Sequence, residues 1–231
     1  YYTDVYNLLS TAVITTYDDV RYGLYTNKDY GNRKGLEIGV DAAFQEFYTS
    51  VNYTLQYTRG NADNPTQTFT RAGQSMDPIA RLIPLSWDQR HTLNATVGYR
   101  TQRYGLNLTG YYNSGTTFTW TPLTDSRLSL VNLYPNNSYK PANFSVDFNG
   151  HYDIPLGGPY KVRLSMLIYN LLDAKNEYGV DSTTGRANQQ IIRETDLLLH
   201  RSDFNTYYDR VINPANISAP REIKFSVGFY F

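Results

Sequence analysis

From Glu222 to Phe231 an apolar side chain stands at every second position. Ile223, Phe225, Val227, Phe229 and Phe231 alternate with Glu222, Lys224, Ser226, Gly228 and Tyr230. A repeat of two is the side-chain period of a β-strand, whereas a helix would return its apolar residues after three or four. The same repeat runs through Phe144, Val146 and Phe148, through Leu36, Ile38 and Val40, through Leu93, Ala95, Val97 and Tyr99, and through Tyr53, Leu55 and Tyr57. It predicts about eight strands, near 1–9, 31–45, 49–59, 87–101, 103–120, 141–154, 160–173 and 220–231. Several exceed the five or six residues usual in soluble proteins and reach the roughly 9–11 that a tilted strand needs to cross hydrocarbon.

Composition narrows the class. Lys+Arg and Asp+Glu balance at 21 each, so the basic face of a nucleic-acid binder is not expected. There is no Cys, which excludes disulfides, Cys-ligated zinc and a thiolate nucleophile. No apolar run of about 18 residues offers a transmembrane helix. The chain does not open with Met, which suggests a removed leader or a piece of something longer. Twenty-three Tyr in 231 residues, with a mean hydropathy of -0.51, suit a β-protein at an oil–water boundary.

The links between strands alternate in length. Those around Gln45-Glu46-Phe47-Tyr48, Thr101-Gln102-Arg103 and Pro155-Leu156-Gly157-Gly158-Pro159 are short. Those expected over 10–30, 60–86, 121–140 and 174–219 are long. Tight turns at one end and long loops at the other are the habit of an up-and-down outer-membrane barrel. The expected fold is therefore all-β, an antiparallel up-and-down transmembrane β-barrel wall in the bacterial outer membrane. Its apolar face would meet the lipid bilayer and its polar face the lumen. Lumen-facing candidates are Glu37, Asp41, Asp88, Arg90, Asn94, Asn107, Asp147, Asn149, Arg163 and Lys224. Aromatics near strand ends, namely Phe44, Trp87, Tyr99, Tyr112, Trp120, Tyr152 and Phe231, are candidates for the membrane girdles.

Several segments resemble TonB-dependent outer-membrane receptors, particularly the type common in Bacteroidetes-like bacteria. They are Tyr2 to Leu9, Asn27 to Glu37, Trp87 to Leu93, Tyr169-Asn170-Leu171-Leu172-Asp173, Thr184-Gly185-Arg186, and Ala219-Pro220-Arg221-Glu222 leading to Phe231. Their order matches the C-terminal part of the receptor barrel. The resemblance implies a 22-stranded barrel with a plug, importing a siderophore, cobalamin or glycan with energy from the TonB complex. It implies a single barrel segment here, the plug and TonB complex being partners outside this chain. It further implies that the last strand is read by barrel-assembly machinery, and it admits a surface lipoprotein or larger complex. The rival readings are a non-transporting scaffold or adhesin and a passive porin-like channel. A complete small barrel is a further alternative.

No catalytic, metal or cofactor site is expected. His91, His151 and His200 stand 60 and 49 residues apart, unlike any metal-ligand spacing. Asp18-Asp19 and Asp173, Glu177 and Asp181 lack the offsets of a calcium loop. Asn-x-Ser/Thr triplets such as Asn52-Tyr53-Thr54 fall in strands and reflect one polar face. Neither a Gly-x-Ser-x-Gly elbow nor a P-loop occurs, so an enzyme is not expected. Loops are where ligand contact concentrates, and Tyr207, Tyr208, Asp209 and Arg210 pair aromatics with charges in the longest of them.

Overall fold

The structure is a computed structural model that describes residues 1–193 and 211–231. Its strands are β1 (Tyr2–Thr15), β2 (Arg21–Phe44), β3 (Phe47–Gly60), β4 (Ile83–Pro84), β5 (His91–Arg100), β6 (Tyr104–Asn113), β7 (Thr117–Phe118), β8 (Ser138–Tyr139), β9 (Asn143–Gly157), β10 (Tyr160–Tyr169) and β11 (Glu222–Tyr230). One short helix, α1 (Gln67–Gly73), lies between β3 and β4. No described helix is long and apolar enough to cross a membrane.

Eight long strands form one antiparallel sheet in the order β1-β2-β3-β5-β6-β9-β10-β11, so strands adjacent along the chain are adjacent in space. β4 adds to the end of β3, and β7 and β8 make a separate ribbon. Among the described residues β1 and β11 do not pair, and the sheet is open with an edge on each. The turns at 45–46, 101–103 and 158–159 lie at one end, and the loops 61–90 and 114–142, with the segments 170–193 and 211–221, lie at the other. The last tight turn depends on glycine: Gly157 (φ 103) and Gly158 (φ 59) take left-handed backbone that an L side chain resists.

Three expected boundaries move. The link expected over 10–30 is a five-residue turn, because β1 runs on to Thr15 and β2 begins at Arg21. This tongue is paired from Leu8↔Asp29 to Thr15↔Arg21 and projects past the end of β3 at Gly60. It lacks the apolar alternation because neither of its faces meets a uniform apolar medium. The strand expected over 103–120 stops at Asn113, and Thr117–Phe118 turns aside to pair with Ser138–Tyr139. Likewise β5 starts at His91, leaving Trp87, Asp88 and Arg90 in the preceding loop.

The ladders hold the apolar positions in register across the sheet. Phe148 sits opposite Leu108 and Ile168, Leu108 opposite Val97, and Leu164 opposite Val227. This shared face is not a dry core. Phe225 is 76% and Val227 73% exposed, and Leu36, Ile38, Val40, Leu106, Leu108 and Phe144 are exposed with them. The buried apolar side chains among the described residues are Ile83, Leu85, Ala187 and Val211, none of which lies in a long strand. A water-soluble sandwich would bury the stripe between its sheets; here, among the described residues, the buried apolar side chains lie in the loop cap.

Candidate functional site

Alternation and pairing put Glu37, Asp41, Asn94, Asn107, Asp147, Asn149, Arg163 and Lys224 on one face of the sheet. The pairs Asp41↔Ser50, Asn52↔Asn94, Asn107↔Asn149 and Arg163↔Asp153 carry that face across the strands. Its turn end holds an ion cluster. Asp153 accepts hydrogen bonds from Arg163 Nε at 2.6 Å, Arg163 Nη2 at 2.8 Å and Lys161 Nζ at 2.8 Å, and the Tyr230 ring lies beneath both cations. Sequence reasoning passed over Asp153 and Lys161, although Asp153 continues the polar series Ser145, Asp147, Asn149, His151.

At the loop end of the same face is a cavity of ≈ 500 Å³ walled by Tyr111, Tyr169 and Tyr178 with Asp147, Glu222 and Lys224. Asp147 Oδ1 accepts from the Asn170 N–H at 2.8 Å, which draws the turn after β10 over the cavity. Lys224 Nζ lies 3.1 Å from Glu222 and over the Tyr169 ring. Three phenol rings with two carboxylates and an ammonium can stack on and hydrogen-bond a polar, hydroxyl-bearing molecule.

Above it the loops are tied to the strands by buried polar groups. Asp88, fully buried, accepts from Thr58 N at 2.6 Å, Arg90 Nε at 2.8 Å and the Tyr139 hydroxyl at 2.9 Å. The Arg90 guanidinium also stacks on Tyr57 and Tyr139. Asp88 and Arg90, expected on the lumen wall, therefore clamp β3 to the β8 ribbon. Burial and the Asp88 carboxylate push the Tyr139 hydroxyl above its ordinary pKa, so it stays a donor. Asp63 takes the Ser86 N–H and the Asn136 amide. Asn176 both accepts from Phe144 N and donates to Phe144 O. Glu177 accepts a fork from Arg186, and this pairing, helped by the Ala187 N–H, holds its carboxyl below the usual range. None of these loop anchors carries a period that sequence could reveal.

Trp120, expected in a girdle, is a loop residue whose indole N–H donates to Thr183 O at 2.8 Å, because the strand ahead of it ended at Asn113. Trp87 is half exposed just before β5. At the turn end Phe47 meets Tyr99 edge-on at 4.5 Å, Tyr99 lies 5.7 Å from Tyr104, and Tyr104 pairs with Tyr152. Phe44, opposite Phe47, and Phe231, 6.2 Å from Phe229, extend this end. Tyr112 lies at the other end, opposite Leu93 and Phe144. His91 pairs through Nδ1 with the Tyr53 hydroxyl at 2.8 Å, and no metal-binding group occurs among the described residues. His200 and the candidates Tyr207, Tyr208, Asp209 and Arg210 lie outside the described residues.

No protein-family model and no curated protein sequence matches the chain. Among solved structures it is similar to the closed form of the ferric-catecholate import receptor Fiu from E. coli K12, with a TM-score of 0.52 and 14% identity. That likeness covers 100% of this chain and 24% of the receptor, so the chain spans about a quarter of that protein's length. At this identity what is shared is the fold: an antiparallel, up-and-down sheet resembling the barrel wall of an outer-membrane receptor.

Proposed function

We propose that the chain is the barrel portion of an outer-membrane, TonB-dependent-receptor-like transporter that takes up a scarce nutrient of the siderophore, cobalamin or glycan class. The observation that carries this reading is the exposed apolar stripe, continuous across neighbouring strands and opposed by a face of carboxylates, amides and cations. Lipid on one side and water on the other satisfy both faces at once. The long loops and the tyrosine-lined cavity beneath them would receive ligand from outside. The likeness to an import receptor supports the same reading at the level of fold. The lipid bilayer is the implied partner, with a plug domain and the TonB complex supplied from elsewhere in the system.

The test is uptake by cells carrying the full-length protein. Ferric siderophores, cobalamin and oligosaccharides are offered in turn, with and without a protonophore. Accumulation of one class that collapses with the proton gradient supports the transporter. Accumulation insensitive to the protonophore supports a passive channel, and a membrane-inserted protein that accumulates none supports a scaffold or adhesin.

A further inference from the structure

A second cavity lies within the loop cap rather than on the polar face of the sheet. It measures ≈ 660 Å³ and opens between α1 and the loop 119–135. Arg71, from the last turn of α1, lines it and is 7% exposed. Its guanidinium donates from Nε to Asp77 O at 2.9 Å and from Nη2 to Asn132 Oδ1 at 3.3 Å. Both acceptors are neutral. No carboxylate among the described residues pairs with it, and Nη1 has no protein partner among them. A buried cation without a counter-charge is costly, and it is ordinarily offset by an anion.

The rest of the cavity has a mixed lining, with Gln67, Thr70, Gln74 and Thr119 among its polar side chains and a group of apolar ones beside them. Met76, Trp120, Leu130, Val131, Leu133 and Pro135 wall it. Leu130 lines it while 88% exposed, so the cavity is open to solvent on that side. Trp120 is a fixed wall, since Thr183 O holds its indole N–H. The Nη1 group left over at one end can donate to a carboxylate, and the apolar side chains suit the body that carries it.

We propose that this cavity binds a small organic anion, its carboxylate on Arg71 and its apolar body against Trp120 and Leu133. The site goes beyond the uptake reading and stands whether or not the protein transports. It would hold ligand in the external cap, apart from the tyrosine-lined cavity below.

Isothermal titration of the full-length protein in detergent tests it, with benzoate, its neutral isostere benzamide and inorganic phosphate as probes. The expected result is saturable benzoate binding at least about tenfold tighter than benzamide, the factor a charge-assisted hydrogen bond carries, with phosphate much weaker. Arg71→Gln should erase the preference and leave benzamide unchanged. Because truncating a buried guanidinium could disturb the loop, Asn132→Asp provides a second arm. It keeps the shape, sets a carboxylate against Nη2, and should likewise erase the preference. Equal affinity for benzoate and benzamide, no saturable benzoate binding, phosphate as tight as benzoate, or a preference that survives Asn132→Asp would each overturn the proposal.

Discussion

Asp88 shows how single residues hold this molecule's loop end. Its two oxygens take three donors from three segments, and no water reaches it. Asp88→Asn replaces an acceptor of charge-assisted bonds with an amide that must turn a donor toward one of those partners. The expected cost is about 1.5–3 kcal/mol. That should raise the open population of the 84–90 loop by a factor of ten or more, read as faster cleavage there in limited proteolysis. Glu177 gives a pH dependence. Its folded-state carboxyl is depressed by Arg186, so its contribution is fully present above the ordinary Glu range and fades as pH falls through the lowered value. Trp120 reports it, being bonded to Thr183 in the same loop. In a Trp87→Phe background, Trp120 fluorescence should hold steady from neutral pH to about 4.3 and change only below it. Adding Glu177→Gln should remove that acid transition. Neither node was legible in the sequence: Asp88 and Arg90 read there as lumen wall, since a two-residue spacing looks the same in a strand and in the loop that enters one.

The strands themselves were legible, because alternation is imposed at every position by what each face touches. Ile223 to Phe229 form β11 with the expected faces, and Leu93 to Tyr99 form β5. The tongue of β1 and β2 was missed for the complementary reason. Ser10, Thr11 and Asp29 are buried polar residues beneath the cap, where Thr11 Oγ1 donates to Pro65 O, so no apolar period survives there. If the exposed stripe faces hydrocarbon, position decides the effect of one charge. Val227→Arg, opposite Leu164 midway along β11, should lower the stability of the vesicle-inserted protein by about 2–4 kcal/mol in urea unfolding. Ser226→Arg, one residue away on the polar face, should be nearly neutral. The glycine turn gives another element-level expectation: Gly157→Ala at φ 103 should cost about 1–3 kcal/mol of strain and reduce the heat-modifiable, folded fraction on a gel.

For the whole molecule, the unusual feature is where the buried residues lie. A protein with 41% hydrophobic residues buries few of them in its sheet and packs Ile83, Leu85 and Ala187 under loops. The arrangement is stable only if the sheet's apolar face has an apolar solvent. The sequence disclosed the two faces, the all-β fold and the alternation of turn and loop, except over 10–30, where a short turn stands in place of the long loop expected. It could not disclose how the loops fold over the strand ends, which rests on buried hydrogen bonds between residues far apart in the chain. The two-solvent claim is open to direct measurement, because this chain has no cysteine of its own. Single cysteines carrying a nitroxide, placed one at a time from position 144 to 154 and from 223 to 229, report oxygen against a water-soluble nickel chelate in vesicles. The account predicts a period of two, with oxygen dominant at Phe148, Phe225 and Val227 and the chelate dominant at Asn149, Lys224 and Ser226. Chelate access at both sets, or at Phe225 and Val227 in place of their neighbours, would contradict it.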